Sequence, residues 1–180
     1  MRGAARPTAR RRRTLALVGA LGVLVVATLG GCAGRRFEGG AFHSPKGYRV
    51  ALPGGAWVVD DASEADLVLR HRAAPAAVLV NAECGRAPGA RTPEVLARHL
   101  FIGVRDRVVV ERADTTVGGR PAAHAVVDGR ADADGAPARI EVYVVKGERC
   151  VYDLVYAAPP AEFQRWAADF QRLVGSFVVE

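Results

Sequence analysis

The chain has 180 residues, with 25 basic against 19 acidic side chains and a formal charge of +6. Six of the arginines fall within the first thirteen residues, where no acid occurs, and beyond residue 31 the two signs balance at 19 each. A domain with no basic excess of its own does not fit electrostatic binding of nucleic acid, while about 150 residues suffice for one domain with a real core.

Thr14 to Gly31 reads TLALVGALGVLVVATLGG and carries no charge. A basic stretch followed by an apolar one has the form of a secretory leader, and eighteen residues is borderline for a membrane span. The run ends in Leu29-Gly30-Gly31-Cys32. These four residues resemble the lipobox of bacterial lipoproteins: an aliphatic residue, two small ones, then the cysteine. The resemblance implies a signal peptide over residues 1–31, cleavage between Gly31 and Cys32, and acylation of the Cys32 thiol. Each buried methylene then contributes about 0.8 kcal/mol to membrane attachment, so two or more chains hold durably. The competing reading is an uncleaved N-terminal anchor, and both readings place the rest of the chain outside the cytoplasm. In that family an Asp after the cysteine goes with inner-membrane retention, so Ala33 implies the periplasm-facing outer membrane. Arg12-Arg13 leaves the choice between the general and twin-arginine export routes open.

Residues 32–41 are short and glycine-rich and are expected to be a flexible tether. A single domain is expected over 42–180. Tyr48, Val50 and Leu52 alternate with Arg49 and Ala51 until Pro53-Gly54-Gly55 breaks the strand. Trp57 to Val59, Leu67 to His71 and Ala77 to Cys84 make further strands. The period then changes. Thr92 can cap a helix, Pro93 suits its first position and Glu94 its positive end, and Leu96, Leu100 and Val104 repeat on one face. Strands resume near Arg107, over 108–116, 121–132, 139–146 and 149–157, with turns at Gly118-Gly119, Asp134-Gly135 and Gly147-Glu148. The run Cys150 to Tyr156 is apolar on both faces apart from Asp153, which predicts a central strand. Phe163, Trp166, Phe170 and Leu173 then form one stripe of a helix from Pro160 to about Val174, a core-facing pattern. Phe177 to Val179 can close as a strand. The expectation is α+β: an antiparallel sheet of about seven to eight strands with two main helices.

Several stretches resemble the PsbP-like family. They are Phe42-His43-Ser44-Pro45-Lys46-Gly47-Tyr48 leading to Leu52-Pro53 and Trp57, then Gly118 to Ala122, Val151 to Tyr156, and Ser176-Phe177. The matched residues are turns and core positions, so the resemblance implies a fold more than a function. Its members act mostly as binding or assembly modules, and no matched motif contains a functional residue.

The chemistry-bearing residues do not assemble into a familiar motif. Ser44, Ser63 and Ser176 are the only serines, and none lies in G-x-S-x-G. His43, His71, His99 and His124 fall on different elements and are expected to be partly exposed and structural, without metal-ligand spacing. Asp60, Asp61, Glu64 and Asp66, and again Asp132 and Asp134, read as solvated turns rather than a calcium loop. Trp57, Trp166, Tyr143, Tyr152 and Tyr156 read as packing, with a ligand pocket as the lesser alternative. Cys84 ends one strand and Cys150 begins another, so they can form a structural disulfide or remain two buried thiols. No catalytic residue, cofactor or metal is expected. The function expected is a lipid-anchored envelope module that binds a protein or a small apolar ligand. The alternative is an accessory carrier subunit for lipid or solute transport.

Overall fold

The computed structural model describes residues 34–85, 90–130 and 135–180. The leader, Cys32 and the Asp132–Asp134 turn lie outside the described residues. The chain order is β1 (Arg36–Glu38), β2 (Ala41–Ser44), β3 (Tyr48–Ala51), β4 (Trp57–Val59), β5 (Leu67–His71) and β6 (Ala77–Cys84). Then come α1 (Pro93–Leu100), β7 (Arg105–Val117), β8 (Arg120–Arg130), β9 (Pro137–Lys146), β10 (Cys150–Ala158), α2 (Phe163–Gly175) and β11 (Val178–Val179).

A seven-stranded antiparallel sheet runs β4-β5-β6-β10-β9-β8-β7. Its middle strand is β10, as its two apolar faces require, with Asp153 opposite Asn81 on one side and Val144 on the other. The alternation of β10 divides the core. Tyr152, Leu154 and Tyr156 join Phe163, Phe170 and Leu173 of α2 in the larger cluster. Val151, Val155 and Ala157 face the other way, towards a smaller cluster that holds Ala97 and Phe101 beside α1. Burying a side chain of the size of Phe170 or Leu173 contributes about 1.5–3 kcal/mol, which fixes α2 on its face. Among the described residues no helix is long and apolar enough to cross a membrane.

A second sheet, β1-β2-β3-β11, was not expected from the sequence. It packs on the α2 side, where Tyr48 meets Tyr152 edge-on at 5.5 Å and Phe177 at 5.8 Å. Part of this sheet lies in the stretch read as a tether. Glu38 pairs with Ala41 across Gly39 and Gly40, whose φ angles of 58° and 75° make the primed two-residue turn that matches strand twist. Leu52 N also donates to Gly40 O at 2.8 Å, so the ordered domain begins before residue 42.

Three boundaries also differ from the sequence reading. Helix α1 stops at Leu100 because Gly103, at φ 91°, turns the chain, so Val104 lies beyond it. Helix α2 begins at Phe163, since the Pro159-Pro160 pair sets a turn closed by Glu162 N and Pro159 O. At Gly147-Glu148 the loop is longer than two residues, with Lys146 pairing to Val151.

Candidate functional site

Cys84 and Cys150 are directly opposite one another in β6 and β10 and are joined by a disulfide. Cys84 is exposed and Cys150 is buried. Their bond sits at the rim of an open groove of about 600 Å³ edged by Lys46, Arg120, Arg149 and Glu148. That groove is charged and mixed in sign, without a convergent set of donors.

His99 is exposed on α1, whereas two other histidines are more buried than their sequence suggested. His71 is 7% exposed. It lies between Trp57 and Trp166, with ring centroids at 5.2 and 3.9 Å. His124 sits on the α2 side with carboxylates at both ring nitrogens, Glu141 Oε1 at 2.9 Å from Nε2 and Glu111 Oε1 at 3.5 Å from Nδ1. Tyr143 stacks on its ring at 4.5 Å, and Gln171 Nε2 donates to the same Glu141 oxygen at 2.6 Å. The Nε2 edge is thus hydrogen-bonded and one face is covered, while the Nδ1 edge meets only the exposed Glu111. This cluster clamps α2 to β8 and β9. Trp57, through its indole N–H to Asp169 Oδ2 at 2.8 Å, and Tyr156, through its hydroxyl to Phe163 O at 2.8 Å, also serve packing.

The acidic run does not read uniformly as a solvated turn. Asp60 pairs with Arg70 near the surface, but Asp66 turns inward. Its Oδ1 receives Lys46 Nζ at 2.6 Å, and its Oδ2 accepts from Tyr48 OH and from Ala82 N, both at 2.9 Å. Burial, reinforced by the Asp66 charge, pushes the Tyr48 phenol far above its ordinary value, so it remains a donor.

A concavity with an apolar floor and a charged rim lies between α1 and the β7–β8 edge. It measures about 230 Å³ and is lined by Phe101 and by Ala97, Ala123 and Ala125, whose small side chains leave a hollow under the helix. Glu94, Arg98, Arg112 and Asp114 ring it. A hydrogen bond from Thr92 holds the Glu94 carboxyl below its usual range, while the bond and charge of Glu94 push Asp114 upward. An apolar hollow with charged groups at its rim suits the side chain of a peptide or a small apolar group. Sequence reasoning missed it. Its two arginines and two acids lie in separate stretches of the sequence, on α1 and β7, and only the passage of α1 over β8 and β9 brings them together.

Beyond this hollow, on the same face of the sheet, Asp153 is half-buried among Val151, Val155 and Asn81. Desolvation, and secondarily the Glu83 charge, push its carboxyl up to about 6. The folded state therefore binds its proton more tightly than the unfolded chain, so this contribution to stability is full below about pH 4. It is lost as pH rises to about 6. Asp153→Asn should unfold at the same denaturant midpoint as the wild type near pH 4 and be about 2 kcal/mol more stable at pH 7. Equal midpoints for the two proteins at both pH values would count against a strained carboxylate.

The fold defines the class first: an α+β domain with a seven-stranded antiparallel sheet, a helix on each face and a smaller sheet beside α2. No protein-family model and no curated protein sequence matches the chain. Solved structures do. The solution structure of cyanobacterial PsbP (CyanoP) from Synechocystis sp. PCC 6803 matches with a TM-score of 0.56 at 13% identity, covering 84% of this chain and 99% of that one. LpqN, involved in cell envelope biogenesis of Mycobacterium tuberculosis, matches at 0.57 and 11%, covering 73% and 82%. A protein from Bacteroides thetaiotaomicron VPI-5482 matches at 0.59 and 10% over 80% of this chain, which spans only 49% of that longer protein. At such identities the likeness establishes a PsbP-like α+β fold and stops there.

Proposed function

We propose that the chain is a non-catalytic binding module of the cell envelope, held on the membrane by acyl chains on Cys32. Its domain takes a protein segment or small apolar ligand at the hollow between α1 and the β7–β8 edge. The observation that carries the binding reading is that hollow. Its floor is apolar and its rim is charged. The leader and the lipobox-like Leu29-Gly30-Gly31-Cys32 support the anchor. The fold shared with LpqN, a protein of envelope biogenesis, supports the location. A carrier of lipid or solute would need a cavity between the sheet and its helices. Under α2 the side chains of Tyr156, Phe170 and Leu173 are at most 1% exposed, and the hollow beside α1 measures only about 230 Å³, so the binding reading is preferred.

The test uses the full chain in bacterial envelopes, with a photoreactive amino acid at Arg98. A discrete adduct of constant mass is expected. Cys32→Ser should move the chain out of the membrane fraction, because loss of two or more acyl chains removes most of the attachment free energy. An adduct that forms equally when the photoreactive residue is moved to Glu38 would sink the binding reading. Retention of the serine variant in membranes, or an unmodified Cys32 by mass spectrometry, would sink the anchor.

A further inference from the structure

We propose that the chain pairs with a second copy of itself along β7, antiparallel, about a two-fold axis through Ala113. The inference goes beyond the binding reading and depends on neither the anchor nor the ligand.

Strand β7 is the last strand of the large sheet, and β8 is its single neighbour among the described residues. It is thirteen residues long and exposed over nearly its whole length. An edge of that kind offers unpaired N–H and C=O groups to any compatible strand, and natural edges are usually blunted by proline, bulges or brevity. The two irregularities of β7 lie upstream, between Arg105 and Val108 and between Val109 and Glu111. From Glu111 to Val117 the pairing is regular and contains no proline.

The turn at the end of β7 fixes which backbone groups point outward. Val117 pairs with Arg120 across Gly118 and Gly119, both at positive φ, in a two-residue primed turn. The closing pair of such a hairpin exchanges hydrogen bonds, and the pattern alternates from there. Val117, Thr115, Ala113 and Glu111 therefore point their backbone groups at β8, while Thr116, Asp114 and Arg112 point theirs away.

A symmetric partner must bring outward groups to outward groups, which leaves few registers. An axis through Arg112 sets Arg112 against its own copy, and an axis through Asp114 sets Asp114 against its own copy. Like charges directly opposite are destabilising. An axis through Ala113 instead sets Arg112 opposite the partner's Asp114, and Asp114 opposite the partner's Arg112. Both pairs lie on the α1 face of the sheet. Arg112 makes no hydrogen bond or ion pair among the described residues, whereas Asp114 shares the rim of the hollow with Glu94, where the partner's Arg112 would add a second cation to Arg98. The same axis brings the exposed Val109 and Val110, at 46% and 50%, alongside the end of the partner's strand. A register centred on Val109 would also oppose unlike charges, but it crosses both irregularities. Its Asp106 stands at φ 51° and already holds Arg130 at 3.2 Å, and its Arg107 donates to Phe101 O at 3.1 Å.

The full chain carrying Ala113→Cys tests this. Residue 113 lies on the axis, so its thiol should meet its own copy and give a covalent dimer of twice the chain mass on a non-reducing gel. Thr115→Cys, two residues off the axis, should give none. Arg112→Asp in the Ala113→Cys background should lower the dimer about tenfold, and adding Asp114→Arg should restore it. The proposal is overturned by no dimer from Ala113→Cys, by equal dimer from Thr115→Cys, or by a charge-reversed pair no better than Arg112→Asp alone. An adduct to a different protein at residue 113 overturns self-pairing as well.

Discussion

Replacing Asp66 by alanine should destabilise the domain by about 3 kcal/mol, read as a shift in denaturant midpoint at pH 7. The side chain is 9% exposed and joins three elements, because Lys46 and Tyr48 flank the small sheet while Ala82 belongs to β6. Its removal strands the Tyr48 hydroxyl, on a residue with no exposed surface, and the Ala82 N–H. A buried donor left without an acceptor costs about 1–3 kcal/mol. Lys46 loses less, since its side chain is 37% exposed and keeps Ala82 O as an acceptor at 2.5 Å. Tyr48→Phe removes one donor together with its bond and should cost only about 1 kcal/mol. Against a total stability of about 5–15 kcal/mol, the alanine change is severe. A loss below 1 kcal/mol would show that the two sheets are joined by apolar packing alone.

Breaking the Cys84–Cys150 bond should cost up to about 4 kcal/mol. The two residues are 66 positions apart, and a link of that span removes much of the freedom of the unfolded chain. The native geometry contributes little to this estimate, because β6 and β10 already hold the two residues opposite each other. The Cys84→Ala, Cys150→Ala protein should therefore keep its native spectrum while its midpoint falls. Its denaturant dependence should steepen as well, since an unlinked chain exposes more surface on unfolding. A lower midpoint with an unchanged slope would place the effect in the folded state instead.

Much of the architecture was legible because the two periodicities are clean. Phe163, Trp166, Phe170 and Leu173 at helical spacing, and a β10 apolar on both faces, told which face α2 buries and which strand is central. What escaped reading depended on groups that meet only in three dimensions. Gly39-Gly40 looks like tether composition until Phe42 and Tyr48 supply a core for its strands to cover. Asp66 sits in a run with Asp60, Asp61 and Glu64, and nothing in that spacing says it alone turns inward. The hollow beside α1 needs four alanine-sized or aromatic positions drawn from two elements, and alanine carries no periodic signal of its own. The opposite charges of Arg112 and Asp114 drew no reading from the sequence, because their meaning depends on β7 lying at an edge.

The short closing strand β11 has a consequence for how the molecule comes into being. Val178 and Val179 pair with Arg49 and Tyr48, so the small sheet is finished by a strand distant in sequence from the one it completes. Any folding intermediate that lacks β11 leaves one edge of β3 bare. Because non-local pairings form late and slowly, the partly folded chain should stay open to chaperones and proteases until β11 docks.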